Sequence, residues 1–289
     1  MQTWESYISL NNDDTSDFEV LPAPSHFYNP NQPNQVGETL RPLSNEDISE
    51  YANRDRFPLP LTTDREGYHG ERHFEYWLSG LTDLINLQEI AHAANVTLSS
   101  YLDFGCASGR VVRHLAAQLP DVDLYACDIN YAHVRWVSQF LGPRVTAFQN
   151  TSVPYLSLPD ASIDAIGAFS VFTHIESFDT AWLMEMRRIL KPGGIAYVTI
   201  VSEETFKMLD ETWPMYEAVT RHPAFEEDTL LKSFSDDKLV FRWHNDRSYA
   251  SNVIYTTAYI ETVWSSILRV EEIRRRFPRY QDAVIMRKD

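Results

Sequence analysis

The chain has 289 residues, 44% of them hydrophobic, and a formal net charge of -16 at pH 7. That length fits one large domain, or a domain with a smaller cap, and supplies enough apolar side chains for a sizeable core. The acidic balance argues against nucleic-acid partners, which need basic surface to displace counterions, and against anionic membranes. The densest basic run, Arg274–Arg276, stands at a strand end and reads as a solvated edge. Both cysteines, Cys106 and Cys127, fall in segments read as buried sheet or ligand loop, so no disulfide and a reducing compartment are expected. The N-terminus has no basic region followed by an apolar run, and no stretch approaches the ~18 apolar residues of a membrane span. A cytoplasmic protein without signal peptide is the expectation.

Residues 1–65 are polar and broken by proline, which predicts an extended arm. Ser44 and Asp47 have the spacing of a capping box, placing one short helix after Ser44. The aromatics Trp4, Tyr7, Phe18, Phe27 and Tyr28 suggest that parts of the arm pack on something, since disordered segments are poor in them. Residues 66–98 form a helical cap in this reading. Phe74, Trp77, Leu78, Leu81, Leu84, Ile85 and Ile90 recur at helical spacing and predict a helix over 71–94.

From residue 99 short apolar runs alternate with amphipathic segments. Strands are predicted at Tyr101–Phe104, Leu124–Cys127, Val145–Phe148, Ile163–Phe169 and Ile195–Val201. Helices are predicted at Val111–Leu119, Ala132–Leu141 and Asp179–Leu190, with Lys191-Pro192-Gly193-Gly194 as the turn into the fifth strand. The alternation lapses between about 202 and 251, where Trp213, Tyr216, His222, Trp243, His244 and Tyr249 cluster. It resumes with a helix at Thr257–Ile267 and strands at Leu268–Ile273 and Ala283–Arg287. This pattern predicts an α/β, Rossmann-like, doubly wound fold over 99–289. Its parallel sheet carries an aromatic-rich insert after the fifth strand.

In such sheets ligands bind at the carboxyl ends of the strands. Gly105-Cys106-Ala107-Ser108-Gly109 turns the first strand into a helix, where small residues let a ligand approach the backbone. Asp128 ends the second strand about 20 residues beyond that loop, where a carboxylate accepts ribose hydroxyls. Asp103, a charge inside an apolar strand, needs a partner and is read as holding the loop or an ammonium group. A dinucleotide fingerprint would need a glycine where Arg110 stands, and Gly109-Arg110-Val111 fails the phosphate-loop pattern. A nucleoside cofactor without phosphate fits what remains. Cys106 has no evident base beside it and reads as a small loop residue rather than a nucleophile.

These residues resemble the class I S-adenosylmethionine-dependent methyltransferases. Leu102-Asp103-Phe104-Gly105-Cys106-Ala107-Ser108-Gly109 is similar to the family's first motif, an apolar strand, an acid and G-x-G-x-G. Asp128 matches the acid after strand two, and LKPGG before strand five also matches. The resemblance is specific over about 101–201. Gly80, the run SVFTHI and Tyr280-Gln281-Asp282 extend it toward a bacterial subgroup, some of whose members act on sugars or other small metabolites. It implies a seven-stranded sheet with an antiparallel last strand and S-adenosyl-L-methionine as cofactor. The implied contacts are Asp103, Gly105, Cys106, Ala107, Gly109, Asp128, Ile129, Asn150, Thr151, Phe169 and Ser170. Ala107 stands where the family has its middle glycine, and its methyl is accommodated if the backbone angles there are ordinary. Asn150 stands where an acid is more usual, and an amide still bonds an adenine.

His174, four residues past Ser170, is the candidate general base. A packing or capping histidine is the plainer alternative. Tyr68, His69, Trp213 and Tyr255 are the candidate substrate contacts, and the aromatics of 213–249 read as a substrate lid or as a minor core. No Cys/His array or acidic cluster suggests a metal. The expected reaction is methyl transfer to a small molecule, preferably at a hydroxyl. A peptide or protein methyltransferase and a non-catalytic cofactor-binding regulator stay open as alternatives, and a Rossmann oxidoreductase is disfavoured by the failed fingerprint.

Overall fold

The computed structural model describes residues 17–31, 37–226, 237–244 and 250–289. Trp4, Tyr7 and Tyr249 lie outside the described residues. The chain divides into two compact units. Among the described residues, the first holds those up to Asn150 together with Ile163–Gly167, and the second holds Thr151–Ser162 and those from Ala168 onward.

The described residues of the proline-rich arm, 17–31 and 37–65, are folded. Strand β1 (Val20–Leu21) pairs antiparallel with β2 (Leu59–Pro60), and helix α1 (Asn45–Arg54) lies between them in sequence. Ser44 starts α1 as a true capping box: its Oγ accepts from Asp47 N–H, and the Asp47 carboxylate accepts from Ser44 N–H. The arm's aromatics pack as composition suggested, with Phe27 edge-on to His73 and Tyr28 tilted against Phe74. A wholly buried ion pair anchors the arm. Arg113 binds Asp55 through Nε at 2.9 Å and Nη2 at 3.2 Å, and the Trp77 indole donates to the same carboxylate at 2.8 Å. With five donors shared between Asp55 and the carbonyls of Phe57 and Pro58, this buried charge is compensated rather than orphaned.

Helix α2 (His73–Ala93) is buried on nearly every face, including Ser79, Thr82, Asp83 and Asn86. Gly80 explains its close approach to the loop after the first glycine strand. A Cβ there would lie 2.0 Å from the Arg110 carbonyl oxygen, so only glycine fits. Then come β3 (Ser100–Phe104), α3 (Val112–Gln118), β4 (Asp123–Asp128), α4 (Tyr131–Phe140), β5 (Val145–Gln149) and β6 (Ile163–Ala168). Strands β3 with β4, β4 with β5, and β3 with β6 pair in parallel, as buried apolar runs joined by helices require.

The second unit contains α5 (Asp179–Ile189), β7 (Leu190–Ser202), α6 (Glu203–Phe206), α7 (Tyr216–Thr220), β8 (Lys238–Arg242), β9 (Ser251–Tyr255), α8 (Thr257–Thr262), β10 (Arg269–Arg274) and β11 (Asp282–Arg287). Strand β11 runs antiparallel to both β7 and β10. All seven predicted strands form, and the insert adds two more: β9 pairs in parallel with β7, and β8 pairs antiparallel with β9. Two expectations are corrected. The LKPGG segment belongs to strand β7, because Gly193 N–H donates to Lys288 O and Lys288 N–H to Gly194 O. The predicted helix at Thr257–Ile267 stops at Thr262 and is followed by a 3-10 turn, Trp264–Ser266. The fold is Rossmann-like α/β, mostly parallel, with an antiparallel last strand.

Candidate active site

The loop after β3 is held by its own backbone and by one carboxylate. Gly105 and Cys106 N–H both donate to Cys127 O, at 2.8 and 3.0 Å. Asp128 ends β4 with 12% of its side chain exposed. Its Oδ2 accepts Ala107 N–H at 2.9 Å and its Oδ1 accepts Asn130 N–H at 2.8 Å. Each oxygen has a second lone pair, so the carboxylate positions the loop and can still accept from a pair of hydroxyls. Ala107 does not have ordinary angles. Its φ is +45°, flanked by Gly105 at +72° and Gly109 at +76°. The loop thus keeps the left-handed turn that glycine serves, at a strain cost for the alanine.

Asp103 is buried, and its Oδ2 accepts Val112 N–H at 3.0 Å at the start of α3. Burial pushes its pKa up to about 7, against the lowering by that N–H and by Arg110. Cys106 is buried with its thiol pushed well up by that burial, which removes it as a nucleophile. Ile129 O accepts from Gln149 Nε2 at 2.9 Å, and Asn150 N–H donates to Asp128 O at 3.2 Å, so the ends of β4 and β5 are tied together. Tyr68 is 39% exposed, with its ring 5.8 Å from the Arg110 guanidinium and 4.6 Å from the His69 ring.

The sequence reading missed two residues here. His133, in the first turn of α4, has Nδ1 3.7 Å from Asp128 Oδ1 and Nε2 3.7 Å from Glu66 Oε1. Burial pulls its pKa down, but Asp128, with Glu66 and Asp64, more than offsets this and raises it. Arg65 is buried beneath the turn that precedes α2, and Ser108 Oγ donates to Asp64 O in that same turn.

In the second unit Thr151 Oγ1 accepts Val153 N–H at 3.2 Å, and the half-buried Phe169 packs edge-on to Tyr197. Ser170 has a φ of +58°; its N–H donates to Thr199 Oγ1 and its Oγ accepts from Gln281 Nε2, both at 2.7 Å. Thr199 and Gln281 together hold the positive-φ turn after β6. His174 closes a 3-10 turn, Phe172–His174, and its Nδ1 lies 2.7 Å from Ser251 O. Two of the expected substrate contacts are buried side chains. Tyr255 is fully buried, and its hydroxyl donates to Phe172 O and Ile175 O, bracing the His174 turn. Trp213 is 4% exposed in a minor core with Val201, Phe206, Leu209, Val219, Phe241 and Ile254. The described part of the insert is thus a packed core where a lid was one of two expectations. No group of three or more metal-ligating side chains occurs among the described residues.

A family model described as a methyltransferase domain matches residues 102–198. That stretch contains the Gly105–Gly109 loop and Asp128. The chain is 28% identical over 152 residues to a probable S-adenosylmethionine-dependent methyltransferase of Mycolicibacterium smegmatis, covering 51% of this chain and 54% of that protein. The chain spans about half the length of that curated relative. A solved protein from Pyrococcus horikoshii OT3 shares the fold at a TM-score of 0.52 and 14% identity, over 79% of this chain and 96% of that one. An S-adenosylmethionine-dependent methyltransferase from Aquifex aeolicus aligns with a TM-score of 0.47 and 16% identity, over 70% and 89% of the two chains. The residues of the described loop fit S-adenosylmethionine, the cofactor named for these similar proteins. The part-exposed Asp128 carboxylate has lone pairs that can accept hydroxyls, and the left-handed loop admits close approach to its backbone.

Proposed function

We propose that the protein methylates a hydroxyl of a small-molecule acceptor and that His174 accepts the hydroxyl proton. The observation that carries this reading is the 2.7 Å contact from His174 Nδ1 to Ser251 O. A carbonyl oxygen only accepts, so Nδ1 carries the ring proton and Nε2 of the neutral ring keeps a free lone pair. Ser251 Oγ donates back to His174 O at 3.2 Å, and the Tyr255 hydroxyl donates to Phe172 O and Ile175 O, so the backbone that carries the ring is held by two independent braces. A base fixed in one tautomer is worth more than a mobile one, because the proton acceptor is oriented before the reaction.

When bound, the cofactor supplies a sulfonium methyl that is already electrophilic. The chain's own work is to hold and orient. Asp128 and the Gly105–Gly109 loop would hold the nucleoside; His174 Nε2 would take the hydroxyl proton while the acceptor oxygen bonds the methyl carbon and the carbon–sulfur bond breaks, with S-adenosylhomocysteine as the leaving group. The buried Trp213 and its minor core favour a small acceptor, since the described insert offers packing rather than a long aromatic groove.

The test is transfer from methyl-labelled cofactor to a panel of small hydroxyl compounds, small amines, small thiols and peptides. Label recovered as an ether, and lost in His174→Ala, supports the reading. Label recovered only in peptides, or only on nitrogen with His174→Ala fully active, sinks it.

A further inference from the structure

Asp128 has a neighbour that the methyl-transfer chemistry does not use. Its Oδ2 accepts Ala107 N–H and its Oδ1 accepts Asn130 N–H, at 2.9 and 2.8 Å. Beside Oδ1 stands the His133 imidazole, in the first turn of α4, with 7% of its side chain exposed. Nδ1 is 3.7 Å from Asp128 Oδ1 and makes no hydrogen bond although it is buried. Nε2 is 3.7 Å from Oε1 of Glu66, the residue that ends the 3-10 turn Thr63–Arg65. The ring is thus set between two carboxylates, one at the end of β4 and one on that turn.

A neutral imidazole has one N–H and one lone pair. In either tautomer, one of its nitrogens then turns a lone pair toward a carboxylate oxygen. The imidazolium has two N–H groups and satisfies both carboxylates. The first turn of a helix disfavours a cation on its own account, so the acids must supply the attraction. Burial pulls the pKa of His133 down, yet Asp128 at the end of β4, with Glu66 and Asp64 on the turn, raises it above the ordinary 6.5. The lone pairs of Asp128 are therefore contested. Each oxygen has two, and the backbone N–H groups of Ala107 and Asn130 leave one open on each. A pair of ribose hydroxyls needs both. An N–H···O bond spans about 2.7–3.2 Å, so a shift of roughly 0.5–1 Å brings Nδ1–H onto the one that Oδ1 has left.

We propose that His133 gates the ribose carboxylate: with its extra proton it bonds Asp128 Oδ1 and withholds that lone pair from a hydroxyl, and without it the lone pair is open. His133 is a positioning residue, acting through Asp128, and its role rests on the reading of Asp128 as the ribose acceptor. Below the folded pKa the ring competes with the hydroxyl, so nucleoside binding displaces its N–H and favours loss of the proton to solvent. Above that pKa there is no competitor. Affinity for the nucleoside therefore rises with pH through the folded value, which lies above 6.5.

The experiment titrates the full chain by calorimetry from about pH 5.5 to about pH 8.5. The ligands are S-adenosylhomocysteine and 5′-methylthioadenosine, the second having no group of its own that ionises in this range. Wild type binds both about 3- to 10-fold more tightly at the alkaline end, the worth of one hydrogen bond made without a competitor. Near the middle of the range binding releases protons, read as a heat that depends on the ionisation enthalpy of the buffer. His133→Leu, which cannot donate, keeps the alkaline wild-type affinity at every pH. That gain at the acid end is one that a merely structural histidine would not give. Glu66→Gln, at a side chain 72% exposed, keeps both plateaus and moves the rise to lower pH, and it carries the test if His133→Leu fails to fold. The gate is overturned if wild-type affinity is flat or falls as pH rises, if His133→Leu keeps the wild-type slope or binds more weakly at the acid end, or if Glu66→Gln leaves the midpoint in place. Wild type that binds both nucleosides with a flat profile ends the gate alone, whereas wild type that binds neither at any pH ends the cofactor reading and the gate with it.

Discussion

The two units present their chemistry in different ways. In the first, the cofactor loop is backbone held by backbone: Cys127 O takes two loop N–H groups, and Asp128 takes Ala107 N–H. Side chains matter there mainly by being small. In the second, the proposed chemistry rests on one imidazole whose tautomer is set by a carbonyl 77 residues further along the chain. A ligand that never changes can be met by a turn, whereas an acceptor that differs between proteins must be met by side chains set in variable packing. The prediction that follows is a split in how substitutions act.

The largest effect is expected at His174. His174→Ala should lower kcat on a hydroxyl acceptor by about 10²- to 10⁴-fold, the usual worth of a positioned proton acceptor. Affinity for S-adenosylhomocysteine should stay as it was. A parallel loss of cofactor affinity would erase the contrast between the units.

Asp128 should behave in the opposite way. Asp128→Ala is expected to weaken S-adenosylhomocysteine by about 1–3 kcal/mol, read by calorimetry, through lost hydrogen bonds to a charged acceptor. Because Asp128 also holds Ala107 and Asn130 N–H, Asp128→Asn, which keeps one oxygen, should recover part of this. Unchanged affinity in Asp128→Ala would remove Asp128 from the site.

The first unit was more legible in the sequence for the same reason. Glycine at 105 and 109, small residues between them and an acid at 128 are local patterns with a fixed spacing, and each has a backbone cause. The capping box at Ser44 and Asp47 was legible in the same way. What could not be read was tertiary. The buried Arg65 sits in a polar stretch, DREGYHGERH, where composition predicts exposure. His133 meets Glu66 across 67 positions, and no period links them. Trp213 and Tyr255 were seen as aromatics, but once the alternation lapsed after residue 202 nothing in their spacing distinguished a packed core from a substrate wall. Gln281 lies in the run Tyr280-Gln281-Asp282, and its bond to Ser170 spans 111 positions that no sequence pattern links. The left-handed φ of Ala107 is imposed by its bond to Asp128 and by the glycines on either side, which residue identity alone does not reveal.

That strain is open to measurement. Ala107→Gly removes a Cβ from a left-handed position, and stability should rise by about 1 kcal/mol in denaturant unfolding, after the extra unfolded-chain entropy of glycine is deducted. The glycine variant should bind S-adenosylhomocysteine at least as well as wild type. A loss of stability would show that the alanine methyl makes contacts worth more than its backbone costs.

The smallest effect should come from His133, which belongs to the first unit yet acts through a side chain. Its folded pKa is raised by Asp128, Glu66 and Asp64 against the opposing pull of burial. A raised imidazole pKa contributes stability that is fully present below the ordinary value near 6.5, and that is lost as pH rises through the folded value. Urea unfolding of wild type and His133→Gln, followed from about pH 5.5 to about pH 8.5, isolates this term from other titrating groups. Wild type should hold its advantage at the acid end and lose it toward the alkaline end. Glu66→Gln should shrink that advantage, because its carboxylate is one of the two ion-pair contacts of the ring. A difference that is flat with pH would mean that His133 stays neutral between two carboxylates and fills space there. The first unit would then use side-chain charge only where Asp128 meets the loop.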